Sequence, residues 1–502
     1  MTFLASDLLE GRNAGTRGYD IAANYVASQF AQWGLTPGGA DGSYFQPTPL
    51  VSFGAATEGV LALNRPGAAA NKLSFGEDYL PSATPLAPAT KVDAPLVFVG
   101  FGVVSPERGR DDYAGLDVKG KIVVTLRGAP KSFQTEERAF FGSARTKRIE
   151  AAKRGAVGFI SVFTPTTSRV LAFERLKVTW QNPSMSWRDA NGVAKFDGGA
   201  ATPIATFSMG GGAKLFDGAT TPFAEVLRLA EAPEGNPPRF DLPARLSANL
   251  ASTISDVDTR NVIGVVEGSD PVLKNEIVVL SAHLDHIGIS KAAENGDVIN
   301  NGALDNAAGT ATMLEAARGF AQSPVKSKRS LMFVALTAEE KGLTGSDYFA
   351  HNPPTTGAIA ANVNLDMPVL LYDFTDIIAF GAERSSLGPV VKRAAETIGL
   401  TLSPDPVPDE GLFTRSDHFS FVLQGVPAVF IKTGFANGGE VADKDFRAAR
   451  YHRPGDDLSQ PINYEAGAKF AKVNFEIARA IADAPQRPTW NKGDFFGQRF
   501  GR

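Results

Sequence analysis

The chain opens on a helical period. Ile21, Tyr25, Val26, Phe30 and Trp33 recur at helical spacing and Gly34 ends the run, which predicts an amphipathic helix. The pattern then changes. From about residue 56 to about residue 250 the sequence is rich in Gly, Pro, Ala and Thr, and short β-like apolar runs stand at residues 96–99, 122–125 and 158–162. One clear helix is expected there, at residues 146–154, and the stretch holds no histidine. Beyond about residue 255, apolar runs of buried-strand type (262–266, 277–280, 331–336, 363–365, 377–380 and 428–431) alternate with amphipathic stretches. Met313, Leu314, Ala317 and Phe320 form one such stretch, and Phe470, Val473, Ile477 and Ile481 another. Alternation of this kind predicts an α/β fold: a mostly parallel mixed sheet flanked by helices, with ligands gathering at the carboxyl ends of the strands. The expected organisation is one domain from residues 1–55 and 251–485, interrupted by a β-rich insert at 56–250. Residues 486–502, with Trp490, Phe495, Phe496 and Phe500 in polar surroundings, read as an arm packing on the surface or on another subunit.

Composition narrows the chemistry. A chain of 502 residues with 43% hydrophobic and 21% charged residues can bury a large core and is expected to form at least two folded units. Its formal charge of -4 leaves no basic footprint for nucleic acid or an anionic membrane, and no apolar run approaches the ~20 residues of a membrane span. There is no cysteine, so disulfides, thiolate nucleophiles and cysteine-ligated metals are excluded, and a metal site must use His, Asp and Glu. The opening residues 1–7 lack the basic and apolar regions of a signal peptide. Compartment therefore stays open between the cytosol and, had a leader been removed, the periplasm or the exterior.

All five histidines lie in the α/β half. In Ile277-Val-Val-Leu-Ser-Ala-His-Leu-Asp-His286, His283 and Asp285 follow a strand on alternate positions that share a face. Asp305 precedes a helix that starts with small residues, where the helix dipole favours a carboxylate. One further strand ends in Glu339 and Glu340, another in Asp366, and His452 sits in a turn-rich loop. Singly, each has an ordinary reading as a cap, a turn or a solvated charge. Together they converge on one edge of a parallel sheet, and that concurrence points to metal. Two zinc ions about 3.5 to 4 Å apart need a bridging carboxylate plus a His and a second carboxylate each. Asp305 as the bridge, with Glu340 and His452 on one ion and His283 and Asp366 on the other, meets that need. Glu339 is then free to act as general base, and Asp285 suits the fixing of the His283 tautomer.

At these residues the sequence resembles the co-catalytic zinc aminopeptidases, the group of the bacterial leucyl and streptomycete aminopeptidases, related to glutamate carboxypeptidase and transferrin receptor. The matching motifs are His283-Leu-Asp285, Asp305-Asn-Ala-Ala-Gly309, Glu339-Glu340, Leu365-Asp-Met367, Arg415-Ser-Asp-His418 and Tyr451-His452, with Leu4-Ala-Ser-Asp-Leu-Leu-Glu-Gly-Arg12 similar to the family's N-terminal region. Through Asp112-Tyr-Ala-Gly-Leu-Asp-Val-Lys-Gly-Lys-Ile-Val-Val124 and Ala151-Ala-Lys-Arg-Gly-Ala-Val-Gly-Phe159 the insert is similar to a protease-associated domain. The resemblance implies hydrolysis of the N-terminal residue of a peptide substrate with two zinc ions per chain. It implies the same five ligands with Glu339 as base, and Tyr451 as donor to the oxyanion. Asn306, Met367, Asp417 and His418 are implied as substrate-pocket residues; Asn306 stands where close members carry a second Asp. The alternatives are a carboxypeptidase or dipeptidase, for which Arg384, Arg415 and Lys432 could supply cations, a single-zinc glutaminyl cyclase, and a non-enzymatic receptor, which would be expected to lose ligands. Oligomeric state is left open.

Overall fold

The computed structural model describes residues 1–294 and 296–501, so Arg502, the end of the expected C-terminal arm, lies outside the described residues. Two compact units account for the chain. One comprises Met1–Leu50, Val257–Pro408 and Arg415–Arg502, the other Val51–Asp256 with Asp409–Thr414.

A mixed sheet organises the first unit. Its strands are the last residues of β1 (Phe240–Val266), then β2 (Glu276–His283), β3 (Ser330–Leu336), β4 (Ala358–Leu365), β5 (Asp376–Phe380), β6 (Thr401–Ser403) and β7 (Ala428–Thr433). They lie in the spatial order β1-β3-β2-β4-β7-β5-β6. The central four, β3, β2, β4 and β7, run parallel; β1 is antiparallel to β3, and β5 to β7. Every residue of β3, and all of β2 after Glu276, is buried, and this is why both read as almost unbroken apolar runs.

Helices supply the cover. α1 (Arg17–Gln32) is capped by the Thr16 side chain, which accepts from the Tyr19 N–H, and buries Tyr19, Ala22, Ala23, Val26 and Phe30 along one stripe. α2 (Ala308–Gln322) packs on α1 and on α3 (Tyr464–Asp483), with Phe320 stacked on Phe475 at 4.2 Å. Truncating a fully buried ring such as Phe30 or Phe470 would cost about 3–5 kcal/mol. The C-terminal residues pack on their own unit: Trp490 Nε1 donates to the Gly425 carbonyl at 2.9 Å, Arg384 pairs with Asp494 at 2.9 Å, and Phe495 and Phe496 are buried. Among the described residues no helix is long and apolar enough to cross a membrane.

The second unit has parallel strands of its own. Ile122–Leu126, Gly158–Val162 and Thr202–Phe207 pair side by side, the first two buried at every position. Here the expectation of a single helix is corrected. Besides Ala144–Lys153 there are helices at Thr135–Gly142, Pro165–Val170, Phe173–Thr179, Met209–Leu215 and Phe223–Glu231. Met209–Leu215 carries three consecutive glycines and has poor intrinsic propensity. It forms because Ser208 Oγ accepts from the Gly211 N–H at 2.9 Å, and because a Cβ on Gly211 would lie 2.1 Å from the Asp78 carbonyl, a contact only glycine allows.

Candidate active site

Strand register brings the candidate residues together. Ser281 of β2 pairs with Asn364 of β4, so His283 and Asp366, each two residues further on, emerge side by side at the carboxyl edge. His283 also pairs with Leu336, the last residue of β3, after which Glu339 and Glu340 follow. The result is a compact cluster. His283 Nε2 lies 3.1 Å from Asp366 Oδ1 and 3.2 Å from Asp305 Oδ1. His452 Nε2 lies 3.2 Å from Asp305 Oδ2 and 3.1 Å from Glu340 Oε2. Asp305 thus offers one oxygen to each imidazole.

Burial sets the electrostatics. It acts against ionising any of these groups, yet the two imidazoles hold the Asp305 carboxyl well below its usual range. Burial likewise opposes ionisation of Glu340, but hydrogen bonds from His286 and His452 bring it to about 2. His452 is pushed the other way, to about 10, by Asp305 and Glu340 despite its own burial. For Glu339 burial, reinforced by Asp366 and Glu340, outweighs the opposing pull of the His283 imidazole and raises it well above the ordinary carboxylate range. Buried carboxylates in this excess call for added positive charge. The donor set of imidazole nitrogens and carboxylate oxygens, without sulfur, fits zinc, and ligand atoms of His283, Asp305 and Asp366 lie within 4.8 Å of one another, as do those of His286, Asp305 and Glu340.

The surroundings hold this cluster in place. Asp456 Oδ1 accepts from the Leu304 N–H and its Oδ2 from the Asp305 N–H, both at 3.0 Å. Ser416 Oγ donates to Asp366 Oδ2 at 2.5 Å and accepts from Asn364 Nδ2 at 2.7 Å. Arg12 is wholly buried, and its guanidinium donates to the carbonyls of Leu4, Leu284, Asn301 and Gly302, so the N-terminal segment ties together the loops that carry His283 and Asp305. Its neighbour Gly11 must be glycine: at φ +70, a Cβ would lie 2.5 Å from the Asn300 carbonyl. Ala338, Met367 and His452 all take left-handed backbone, at φ 53, 49 and 58. Each costs on the order of 1 kcal/mol for a residue with a Cβ, and all three border the carboxylates, as strain at functional sites does.

Several expected roles change. The Asp285 carboxylate does not touch the His283 ring. The Asp285 main-chain carbonyl faces His283 Nδ1 at 3.1 Å, while its carboxylate accepts from the N–H groups of Glu339 at 3.0 Å and Glu340 at 3.3 Å. Burial raises that carboxyl to about 6. Asn306 is committed to the scaffold rather than to a substrate: Nδ2 donates to the Leu365 carbonyl, and Oδ1 accepts from the N–H groups of Gly309 and Met367. Asp417 and His418 have no exposed surface, and His418 packs on Phe430. Met367 keeps a small exposed area beside Asp366, and Tyr451 stacks on the His452 ring at 3.9 Å. Reading the sequence missed Arg12, His286, Ser416 and Asp456. His286 adjoins Asp285, Ser416 adjoins Asp417 and Asp456 stands in the turn-rich run after His452, so residue spacing could have pointed to these three, whereas Arg12 is far from every chosen residue in sequence.

Paired imidazoles sharing a carboxylate at the carboxyl edge of a parallel sheet define a metallohydrolase. Residues 261–478, under half of the chain, match Peptidase family M28. It is similar to a probable leucine aminopeptidase 2 of Aspergillus fumigatus, 26% identical over 78% of this chain and 67% of that protein. Aminopeptidase Y of Saccharomyces cerevisiae is 28% identical over 48% of this chain and 43% of its own length. The chain therefore spans about two thirds of one relative and under half of the other. In fold it resembles the aminopeptidase from Aneurinibacillus sp. strain AM-1, with a TM-score of 0.52 and 22% identity, covering 97% of this chain and 94% of that one.

Proposed function

We propose that the protein removes N-terminal residues from peptides, using two zinc ions bridged by Asp305. Glu340 and His452 would hold one ion and His283 and Asp366 the other. The observation that carries this reading is the division of the Asp305 carboxylate, one oxygen 3.2 Å from each of two imidazoles. When bound there, the ions supply Lewis-acid activation of water and of the scissile carbonyl.

The chain's own residues do the rest. Glu339, whose basicity is raised by burial, accepts a proton from the attacking water and returns it to the departing amine. Its own main-chain N–H is fixed by Asp285, which sets the side chain's approach. The Tyr451 hydroxyl donates to the oxygen that becomes negative as the carbonyl is attacked. Of the three cations a carboxypeptidase could use, two are committed, Arg384 to Asp494 and the buried Lys432 at 3.6 Å from Asp443, and Arg415 is exposed. We further propose that the second unit, similar in sequence to a protease-associated domain, carries no chemistry of its own.

Zinc-loaded enzyme assayed on aminoacyl chromogenic amides, N-acetylated analogues and peptides with blocked or free carboxyl ends tests the reading. Hydrolysis of the free amino substrates alone is expected. Cleavage of N-blocked peptides that depends on a free terminal carboxylate would replace it with a carboxypeptidase.

A further inference from the structure

A third imidazole belongs to the cluster. His286 follows His283 by three residues and has no exposed surface. Its Nδ1 lies 2.7 Å from Glu340 Oε1, while the other oxygen of the same carboxylate, Oε2, lies 3.1 Å from His452 Nε2. Two imidazoles therefore divide Glu340 between them. His286 Nε2 is buried without a hydrogen-bond partner among the described residues, so the ring's useful proton is the one on Nδ1. The ring is locked in that pose. The His286 N–H donates to the Arg12 carbonyl at 3.2 Å, and Gly302 makes room for the ring, since a Cβ there would lie 2.7 Å from His286 Cγ and Cδ2.

We propose that His286 is a positioning residue for Glu340: its Nδ1–H engages Oε1 and thereby turns Oε2, alone, toward the cation shared with His452. The inference rests on the two-zinc reading above and adds to it a residue outside the five ligands. A carboxylate with both oxygens free can rotate or chelate with either; one oxygen held by a fixed donor leaves the other a single direction. The consequence is asymmetric. Loss of His286 weakens the Glu340/His452 site and leaves the His283/Asp366 site standing. The competing role, with His286 itself binding the ion, makes a different forecast, because asparagine can reproduce a donor at the δ position but is a poor substitute for an imidazole ligand.

The test measures zinc per chain and zinc affinity, by chelator competition, on the full chain of wild type, His286→Gln and His286→Asn. Two zinc ions are expected in wild type. His286→Gln, whose amide sits one bond too far out, is expected to keep one tight zinc and bind the second roughly 10–100-fold more weakly. His286→Asn is expected to stay within about threefold of wild type, a rescue that merely filling space would not produce. Wild-type affinity at both sites in His286→Gln overturns the assignment, and so does a loss in His286→Asn as large as that in His286→Gln. If His286→Gln loses both ions, His286→Asn decides: near-wild-type binding supports the role, and parallel loss overturns it. A wild type that takes up fewer than two zinc ions would instead overturn the two-zinc reading itself.

Discussion

Both units bury charge beside parallel strands, but they balance it differently. In the second unit each buried acid meets a cation of its own: Glu137 pairs with Arg108 at 2.7 Å, Asp112 with Arg110 at 2.8 Å, and Asp78 with Lys214 at 2.7 Å. In the first unit Asp285, Asp305 and Asp417 are buried with Glu339, Glu340 and Asp366 beside them, faced by three imidazoles and the Arg12 guanidinium. A closed ion pair is finished chemistry. A carboxylate excess held by strained backbone and main-chain donors is prepared for a charge the chain does not itself supply.

The sharpest way to break this contrast is to remove the shared carboxylate. Asp305→Ala is expected to abolish activity and release both zinc ions, because two dications about 3.5 to 4 Å apart repel strongly without a bridge. Elemental analysis should find one zinc retained in His283→Ala and in His452→Ala; two retained in Asp305→Ala would mean that the bridge lies elsewhere. Next in size, Glu339→Gln is expected to keep both ions and the fold while turnover falls at least ~100-fold, and wild-type turnover would remove it from the mechanism. Arg12→Met leaves the ligands intact but strips the donors from four carbonyls, so denaturant unfolding should show a loss on the order of 3 kcal/mol.

The smallest effect belongs to the second unit, where Lys147 is the exception to its closed pairs. Its Nζ donates to the Leu126 and Gly128 carbonyls, and burial lowers it from the usual 10.5 to about 7. Between pH 7 and 10.5 the unfolded chain then binds more protons at this residue than the folded one, so its contribution to stability rises with pH across that window. Below pH 7 the full cost of holding the charge remains. The difference in melting temperature between wild type and Lys147→Met, followed from pH 7 to 10, should therefore widen in favour of wild type, with peptidase activity unchanged. A difference that is flat with pH would show that Lys147 keeps its ordinary affinity for protons.

Much of the first unit was legible because its chemistry sits next to its strongest pattern. His283, Glu339, Glu340 and Asp366 each follow directly, or within a few residues, on an apolar run that only a buried strand explains, so strand and candidate ligand were read together. The second unit was less legible. Its triple-glycine helix has no period to detect, whereas Phe223, Val226 and Ala230 of Phe223–Glu231 did carry one that the surrounding Pro and Gly obscured.

By itself, then, the sequence determined the α/β class, the five residues that meet at the carboxyl edge and the acid left over beside them, because strand period and residue type are local properties. Tertiary structure alone decided what each of these groups touches. Arg12 reaches the Leu284 carbonyl across 272 positions, Asp456 holds the Leu304 N–H across 152, and His286 finds Glu340 across 54. It also turned the Asp285 carboxylate away from the imidazole and Asn306 into the scaffold. No spacing rule encodes such contacts. A buried polar group bonds to whichever partner the packed elements bring within reach, and that choice exists only once the sheet and its loops have closed around it.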